Sequence, residues 1–170
     1  LFFSDCDLDA PDNVTVIKSS LDDVFDRAEE ALGVKITKRY PYKLCDLKSF
    51  YGLIFESELQ EYKYWGYGDC DVVYGRLPEF GDLELYCQKH QRNDMDMVVS
   101  ETPLGRWFIP GHFVMMRNDN RGRGIFNSLP TAGRLLELPH NRYIDEHLTP
   151  TVLLNQYGMG AGGIKATDYR

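Results

Sequence analysis

Apolar positions along the first third of the chain change their period from two to nearly four. Val14-Thr15-Val16-Ile17, after the Pro11-Asp12-Asn13 turn, is short and β-branched, the pattern of a strand. Leu21, Val24, Phe25, Ala28 and Leu32 then recur at three- and four-residue steps, which predicts an amphipathic helix. Ser20 with Asp23 forms the sequence of a capping box, Asp standing where Glu is usual, and Gly33 supplies the stop. After Tyr40-Pro41-Tyr42, residues Leu44, Leu47, Tyr51, Ile54, Phe55 and Leu59 return to helical spacing, with Glu56, Glu58 and Lys63 outside. This second helix is expected to lead directly into a strand over residues 65–71.

Pro78 and Gly81 break the chain before a helix expected at 82–91, and strands are expected at 95–100 and 108–117, the latter interrupted by Pro110-Gly111. The run Asn118-Asp119-Asn120-Arg121-Gly122-Arg123-Gly124 predicts a mobile loop, residues 144–157 a final helix, and the glycine-rich residues 158–163 a flexible tail extending to 170. Strands alternating with helices predict a single α/β domain over residues 1–170, a sheet sandwiched by helices. Leu1-Phe2-Phe3-Ser4 opens as an apolar strand without a preceding turn or cap, the middle of a fold, so the chain is expected to be a fragment.

Composition narrows the partners. With 170 residues, 43% of them hydrophobic, the chain can bury one full core but not two. No run approaches the roughly 18 apolar residues needed to span a bilayer, so no transmembrane segment is expected. A formal net charge of −7 argues against a nucleic-acid surface. It also means that a phosphorylated ligand would need a cation between its phosphates and the protein's carboxylates. Cys6, Cys45, Cys70 and Cys87 have neither CxxC spacing nor the density of a secreted scaffold, so reduced thiols, a cytoplasmic location and no structural zinc are expected.

The chemistry concentrates in Tyr64-Trp65-Gly66-Tyr67-Gly68-Asp69-Cys70-Asp71-Val72-Val73-Tyr74-Gly75. The chain carries four Asp-x-Asp pairs, so the pair alone decides nothing. Asp69 and Asp71 are the pair that follows a strand and has Gly66, Gly68 and Gly75 to let the backbone bend. Their hard oxygen donors suit Mn²⁺ or Mg²⁺, ions that also bridge phosphate oxygens; the competing reading is a solvated turn. Lys43, Asp46 and Phe50 share a helical face, with Lys48 offset, so either lysine is a candidate for a phosphate and Asp46 for a ribose hydroxyl, against the alternative of a surface ion pair. His112, after Gly111, is a candidate donor to a sugar hydroxyl or a packed strand residue. Asp145 and Glu146 open the last helix, as general bases or as acidic residues favoured by the helix dipole. Arg117, Arg121 and Arg123 are candidates for a departing diphosphate, and Tyr64, Trp65, Tyr67 and Trp107 for sugar stacking or for the core.

The run Pro41-Tyr42-Lys43-Leu44-Cys45-Asp46-Leu47-Lys48-Ser49-Phe50-Tyr51-Gly52-Leu53-Ile54-Phe55, followed by the Tyr64–Gly75 segment, resembles a bacterial family of GT-A-type glycosyltransferases that read PYKxCDxKPxYGxIF and YxFWGxxDxDVxxG. The similarity continues weakly through Gly111-His112-Phe113, Arg117-Asn118 and Asp145-Glu146. More distantly, the arrangement is similar to capsular-polysaccharide and mannosyl-type transferases. The resemblance implies a GT-A-like (Rossmann-like) mixed sheet flanked by helices and incomplete at the N-terminus. It further implies a nucleotide-sugar donor, a glycan or other hydroxyl acceptor, and a divalent ion on Asp69 and Asp71. By the same carry-over Asp46 and Lys48 line the donor pocket, Lys43 lies near it, and Asp5 stands near the base pocket. Ser49 departs from the family's proline, and the family's first strand and nucleotide loop are missing. Two other readings stay open: a metal-dependent phosphohydrolase using the same aspartates on water, and a non-catalytic carbohydrate-binding or degenerate transferase domain.

Overall fold

The computed structural model describes residues 1–72, 97–100, 111–149 and 166–169, with the main chain alone for 97–100, Arg121, Leu148 and 166–169. Among them the chain is mixed α/β with two small sheets. Strands β1 (Phe2–Ser4) and β2 (Val16–Lys18) pair in parallel, Phe3 opposite Ile17. The second sheet has the order β3-β5-β4-β6, built from β3 (Tyr64–Gly68), β4 (Met97–Ser100), β5 (Phe113–Arg117) and β6 (Ala166–Tyr169). Its first two pairings are antiparallel and β4–β6 is parallel. Where a single sandwiched sheet was expected, the described residues form two sheets, and residues 166–169, expected in a flexible tail, form a strand.

Helix α1 (Leu21–Leu32) matches the sequence pattern in detail. Ser20 and Asp23 close the reciprocal capping box, with Ser20 N–H donating to Asp23 at 2.7 Å and Asp23 N–H to Ser20 Oγ at 3.2 Å. Val24, Phe25, Ala28 and Leu32 are buried, and Gly33 ends the helix at φ 64°, a conformation costly for any residue with a Cβ.

The second helix is where the expectation fails. Residues Pro41–Phe50 form a 3₁₀ helix, followed by short α-helical turns at Tyr51–Ile54 and Glu56–Leu59 that break at Phe55. At three residues per turn, positions i and i+3 eclipse, so the 3₁₀ helix presents three columns. Leu44, Leu47 and Phe50 point to the core; Lys43, Asp46 and Ser49 are buried against residues 135–149; Cys45, Lys48 and Tyr51 are partly covered on the third side. Phe25, Leu47, Phe50, Trp65, Val114, Ile125, Leu136 and Ile144 form the centre of the core, and Phe3 stacks on Phe55 at 4.3 Å, tying the small sheet to it.

Residues 118–124, expected to be mobile, are held in place. Asn118 Nδ2 donates to the carbonyls of Leu59 and Tyr62 at 2.6 and 2.7 Å, Gly122 N–H donates to Asp119, and Asn120–Arg123 form one helical turn. The last helix begins as a π-turn over Ile144–Leu148. The expected helix at 82–91 and the remainder of the 144–157 helix lie outside the described residues, as does the 158–163 segment. No helix among the described residues is long and apolar enough to cross a membrane.

Candidate functional site

Antiparallel pairing of β3 with β5 fixes the site. Side chains two apart share a face of a strand, and burial follows: Trp65 and Tyr67 are buried while Gly66 and Gly68 are exposed. Gly66 is no hinge; a Cβ there would collide with the Val114 carbonyl of β5. The Asp69 N–H donates to the His112 carbonyl at 3.2 Å, carrying the ladder one step past Gly68–Phe113, and the chain then turns at Cys70-Asp71. The strand therefore ends where the acidic pair begins.

Lys48 is the centre of the cluster. Its Nζ donates to Asp69 Oδ1 at 2.5 Å and to the Gly111 carbonyl at 3.1 Å, and stands 4.0 Å from Asp145 Oδ2. Burial opposes the ammonium charge, but the Asp69 hydrogen bond and the surrounding negative groups outweigh it, leaving its pKa above that of an ordinary lysine. Asp145 is 2% exposed, and its Oδ1 has no hydrogen-bond partner among the described residues. Burial pushes its pKa up to about 7, against Lys48, which lowers it, and with Glu146, which adds to the rise. A buried carboxyl whose pKa is raised beside a lysine is a candidate for acid/base chemistry.

Gly111 lets these carboxylates approach. A Cβ there would lie 2.7 Å from Asp145 Oδ2 and 3.2 Å from Glu146 Oε1. The glycine expected to admit a ligand admits the protein's own acidic pair instead. His112 reaches the site through its main-chain carbonyl; its side chain is half-buried.

Lys43 and Asp46 are not ligand-facing. Both side chains are 0% exposed and joined at 2.9 Å. Lys43 Nζ also donates to the carbonyls of His140 at 3.1 Å and Leu135 at 3.4 Å, while the Asp46 carboxylate accepts from the N–H groups of Arg142 and Ile144. One turn further along the same column, Ser49 Oγ accepts from Thr149 Oγ1 at 3.0 Å. This column is a clamp holding residues 135–149 against the 3₁₀ helix, and it positions Asp145 and Glu146. The role for which sequence made Lys43 and Asp46 candidates is thereby replaced by a structural one.

The other candidates scatter. Asp5 is exposed at the end of β1, where it accepts from Cys6 Sγ, and no contact among the described residues joins it to the cluster. Arg123 pairs with Glu56, and Arg117 stands over the Tyr64 ring. Trp65 and Tyr67 belong to the core, Trp65 so tightly that a Cβ on Gly52 would come within 2.6 Å of its indole. Arg121's side chain and Trp107 lie outside the described residues. Among the described residues Cys6, Cys45 and Cys70 are free thiols, and burial raises the Cys45 pKa, making it a poor nucleophile. A depression of about 300 Å³ on the outer face of β3 and β5, bordered by Tyr64, Phe113 and Met115, includes none of the clustered charges.

The chemistry of the donor set fits a hard divalent cation. Asp69 is half-buried on the cluster side, Asp71 is exposed on the following turn, and both are carboxylates. Mg²⁺-type ions need only one or two such ligands when waters and substrate phosphates complete the shell. Among the described residues no group of three or more His, Cys, Asp or Glu side chains converges as a metal cage.

The fold and site thus define a mixed α/β chain in which a strand-end aspartate, a partly buried lysine and a buried carboxyl come together. The chain belongs to the family of unknown function DUF6625, which matches residues 1–161. Neither a curated protein nor a solved structure matches it.

Proposed function

We propose that the chain is a metal-dependent glycosyltransferase domain of GT-A type, transferring a sugar from a nucleotide-diphosphate donor to a hydroxyl acceptor. The observation that carries the reading is the convergence of Lys48, Asp69 and the buried Asp145 beside the Asp69–Asp71 turn, three titratable groups from three distant segments. Electrostatic preorganisation of that kind is what a reaction with a highly charged leaving group requires. Resemblance of the 41–55 and 64–75 segments to GT-A-type transferases points the same way.

Asp69 and Asp71 would hold Mn²⁺ or Mg²⁺, which when bound supplies positive charge to the diphosphate leaving group. Lys48, already on Asp69, adds a second cation for the phosphates. The acceptor oxygen forms a bond to the anomeric carbon as the bond from that carbon to the diphosphate breaks. Asp145 takes the acceptor's proton, its basicity raised by its dry surroundings and by Glu146. A displacement assisted by such a base inverts the anomeric centre.

Asp71→Ala tests the reading. Because Asp71 is exposed on a turn, the substitution is expected to abolish Mn²⁺-dependent donor binding in calorimetry while leaving the melting temperature nearly unchanged. Full donor affinity in the variant refutes the metal assignment. Phosphate or nucleotide release that needs no acceptor and outpaces sugar transfer would instead favour the phosphohydrolase.

A further inference from the structure

β3 closes one end of the sheet order β3-β5-β4-β6, so one of its edges has no strand beside it among the described residues. Asp69 N–H donates to the His112 carbonyl and Asn118 N–H to the Lys63 carbonyl, and in an antiparallel ladder bonded pairs alternate with unbonded ones. Residues 63, 65, 67 and 69 therefore bond to β5, while the N–H and C=O groups of Tyr64, Gly66 and Gly68 point away from it. Open edges are usually blunted by proline, charge or a bulge. β3 has none of these: its five residues are Tyr-Trp-Gly-Tyr-Gly and its register with β5 is unbroken. Gly66 and Gly68 are exposed, and such an edge is a template for one more strand.

The ends of β3 select the strand that fits. Lys63 Nζ and Arg117 Cζ each lie 5.9 Å from the centre of the Tyr64 ring, so the first end is basic. Asp69 makes the second end acidic, and Glu61 and Asp71 stand on turns past the ends of the ladder. A second copy running antiparallel sets basic end against acidic end twice, whereas a parallel copy sets like against like. Centred on Gly66, the pairing uses all three outward-facing residues of each strand. The net charge of −7 is a repulsive background for two copies, and Lys63 opposite Asp69 is the local contact that offsets it. On the exposed face Gly66 and Gly68 leave a depression of about 300 Å³ bordered by Phe113 and Met115, and a tyrosine opposite a glycine covers the bare backbone there.

We infer that β3 is a dimer edge, along which two copies of the chain pair antiparallel about Gly66. Tyr64 of the partner subunit lies over Gly68, and Lys63 of the partner subunit faces Asp69. Every contact of a two-fold interface is made twice. Because Asp69 belongs to the Lys48 cluster, the partner brings a further cation to the rim of that site. The pairing itself does not depend on the transferase reading.

The test is NMR hydrogen exchange on the full chain at low and high concentration, with sedimentation equilibrium beside it. Wild type is expected to dimerise, with exchange slowing at Tyr64, Gly66 and Gly68 as concentration rises and unchanged at Trp65 and Tyr67, whose amides already bond to β5. Gly68→Pro removes an outward-facing donor without touching the β5 ladder, and since that donor is used twice it is expected to weaken the dimer about tenfold or more. Lys63→Glu, at an exposed position, sets like charges together and is expected to weaken the dimer as well; it carries the test if Gly68→Pro does not fold. A chain that stays monomeric overturns the inference, as does a dimer in which those three amides exchange as in the monomer, or one that Lys63→Glu leaves unmoved. The alternating protection appearing only on addition of a different polypeptide would assign the edge to that partner and overturn the second copy.

Discussion

Replacing Asp46 by alanine separates a clamp from a ligand site. In the structure the change strands the Lys43 ammonium, 0% exposed, with two carbonyl acceptors and no counter-ion, and takes the shared acceptor from the Arg142 and Ile144 N–H groups. Breaking a buried ion pair on one side costs about 3–5 kcal/mol. Each main-chain donor left without a partner adds up to about 1–3 kcal/mol, though the terms share one carboxylate and do not add in full. For a chain of 170 residues, a loss of 3–5 kcal/mol corresponds to a fall in melting temperature of roughly 6–20 °C. Urea denaturation and calorimetry measure both quantities. The double variant Lys43→Met/Asp46→Leu should recover part of the loss, because it leaves no buried charge unpaired. A loss below about 1 kcal/mol in Asp46→Ala, together with vanished donor binding, would refute the clamp and return the pair to the ligand.

That contrast marks where sequence stops informing the fold. α1 is legible because every determinant is local: the capping pair Ser20 and Asp23, the stripe from Leu21 to Leu32, and Gly33 all lie within fourteen consecutive residues. The 41–50 segment is not, since Leu44, Leu47 and Phe50 at three-residue steps satisfy a 3₁₀ helix as well as an α-helix. The choice is made by the column Lys43, Asp46, Ser49, whose partners lie about a hundred residues further on. The glycine-rich 118–124 run is ordered for a similar reason, by Asn118 bonding back to Leu59 and Tyr62.

The site shows the same division. Lys48, Asp69, Asp145 and Glu146 each stand out in the sequence as chemically capable, but their meeting depends on strand register, which brings His112 against Asp69 and so Gly111 against Lys48. Asp5, by contrast, had only the resemblance behind it.

Three further outcomes bear on the cluster. Gly111→Ala drives a methyl into the Asp145 carboxylate and is expected to cost about 1–3 kcal/mol in urea denaturation while lowering kcat more than donor affinity; an unchanged kcat would separate Asp145 from the reaction. Asp145→Asn, of nearly the same shape, is expected to abolish transfer with donor binding retained in calorimetry, and transfer at the wild-type rate would eliminate it as the base. The pH dependence follows from the same carboxyl, whose pKa, pushed up by burial to about 7, lies above the ordinary aspartate value of 3.8. Between those values the folded state binds the proton that the unfolded state has released, so this group's contribution to stability is full below about pH 4 and declines as pH rises to about 7. Activity moves the opposite way, rising through pH 7 as the base loses its proton. The wild-type protein should therefore lose stability over the interval in which it gains turnover, and Asp145→Asn should flatten the stability slope. A variant that keeps the wild-type slope would place the titration on another group.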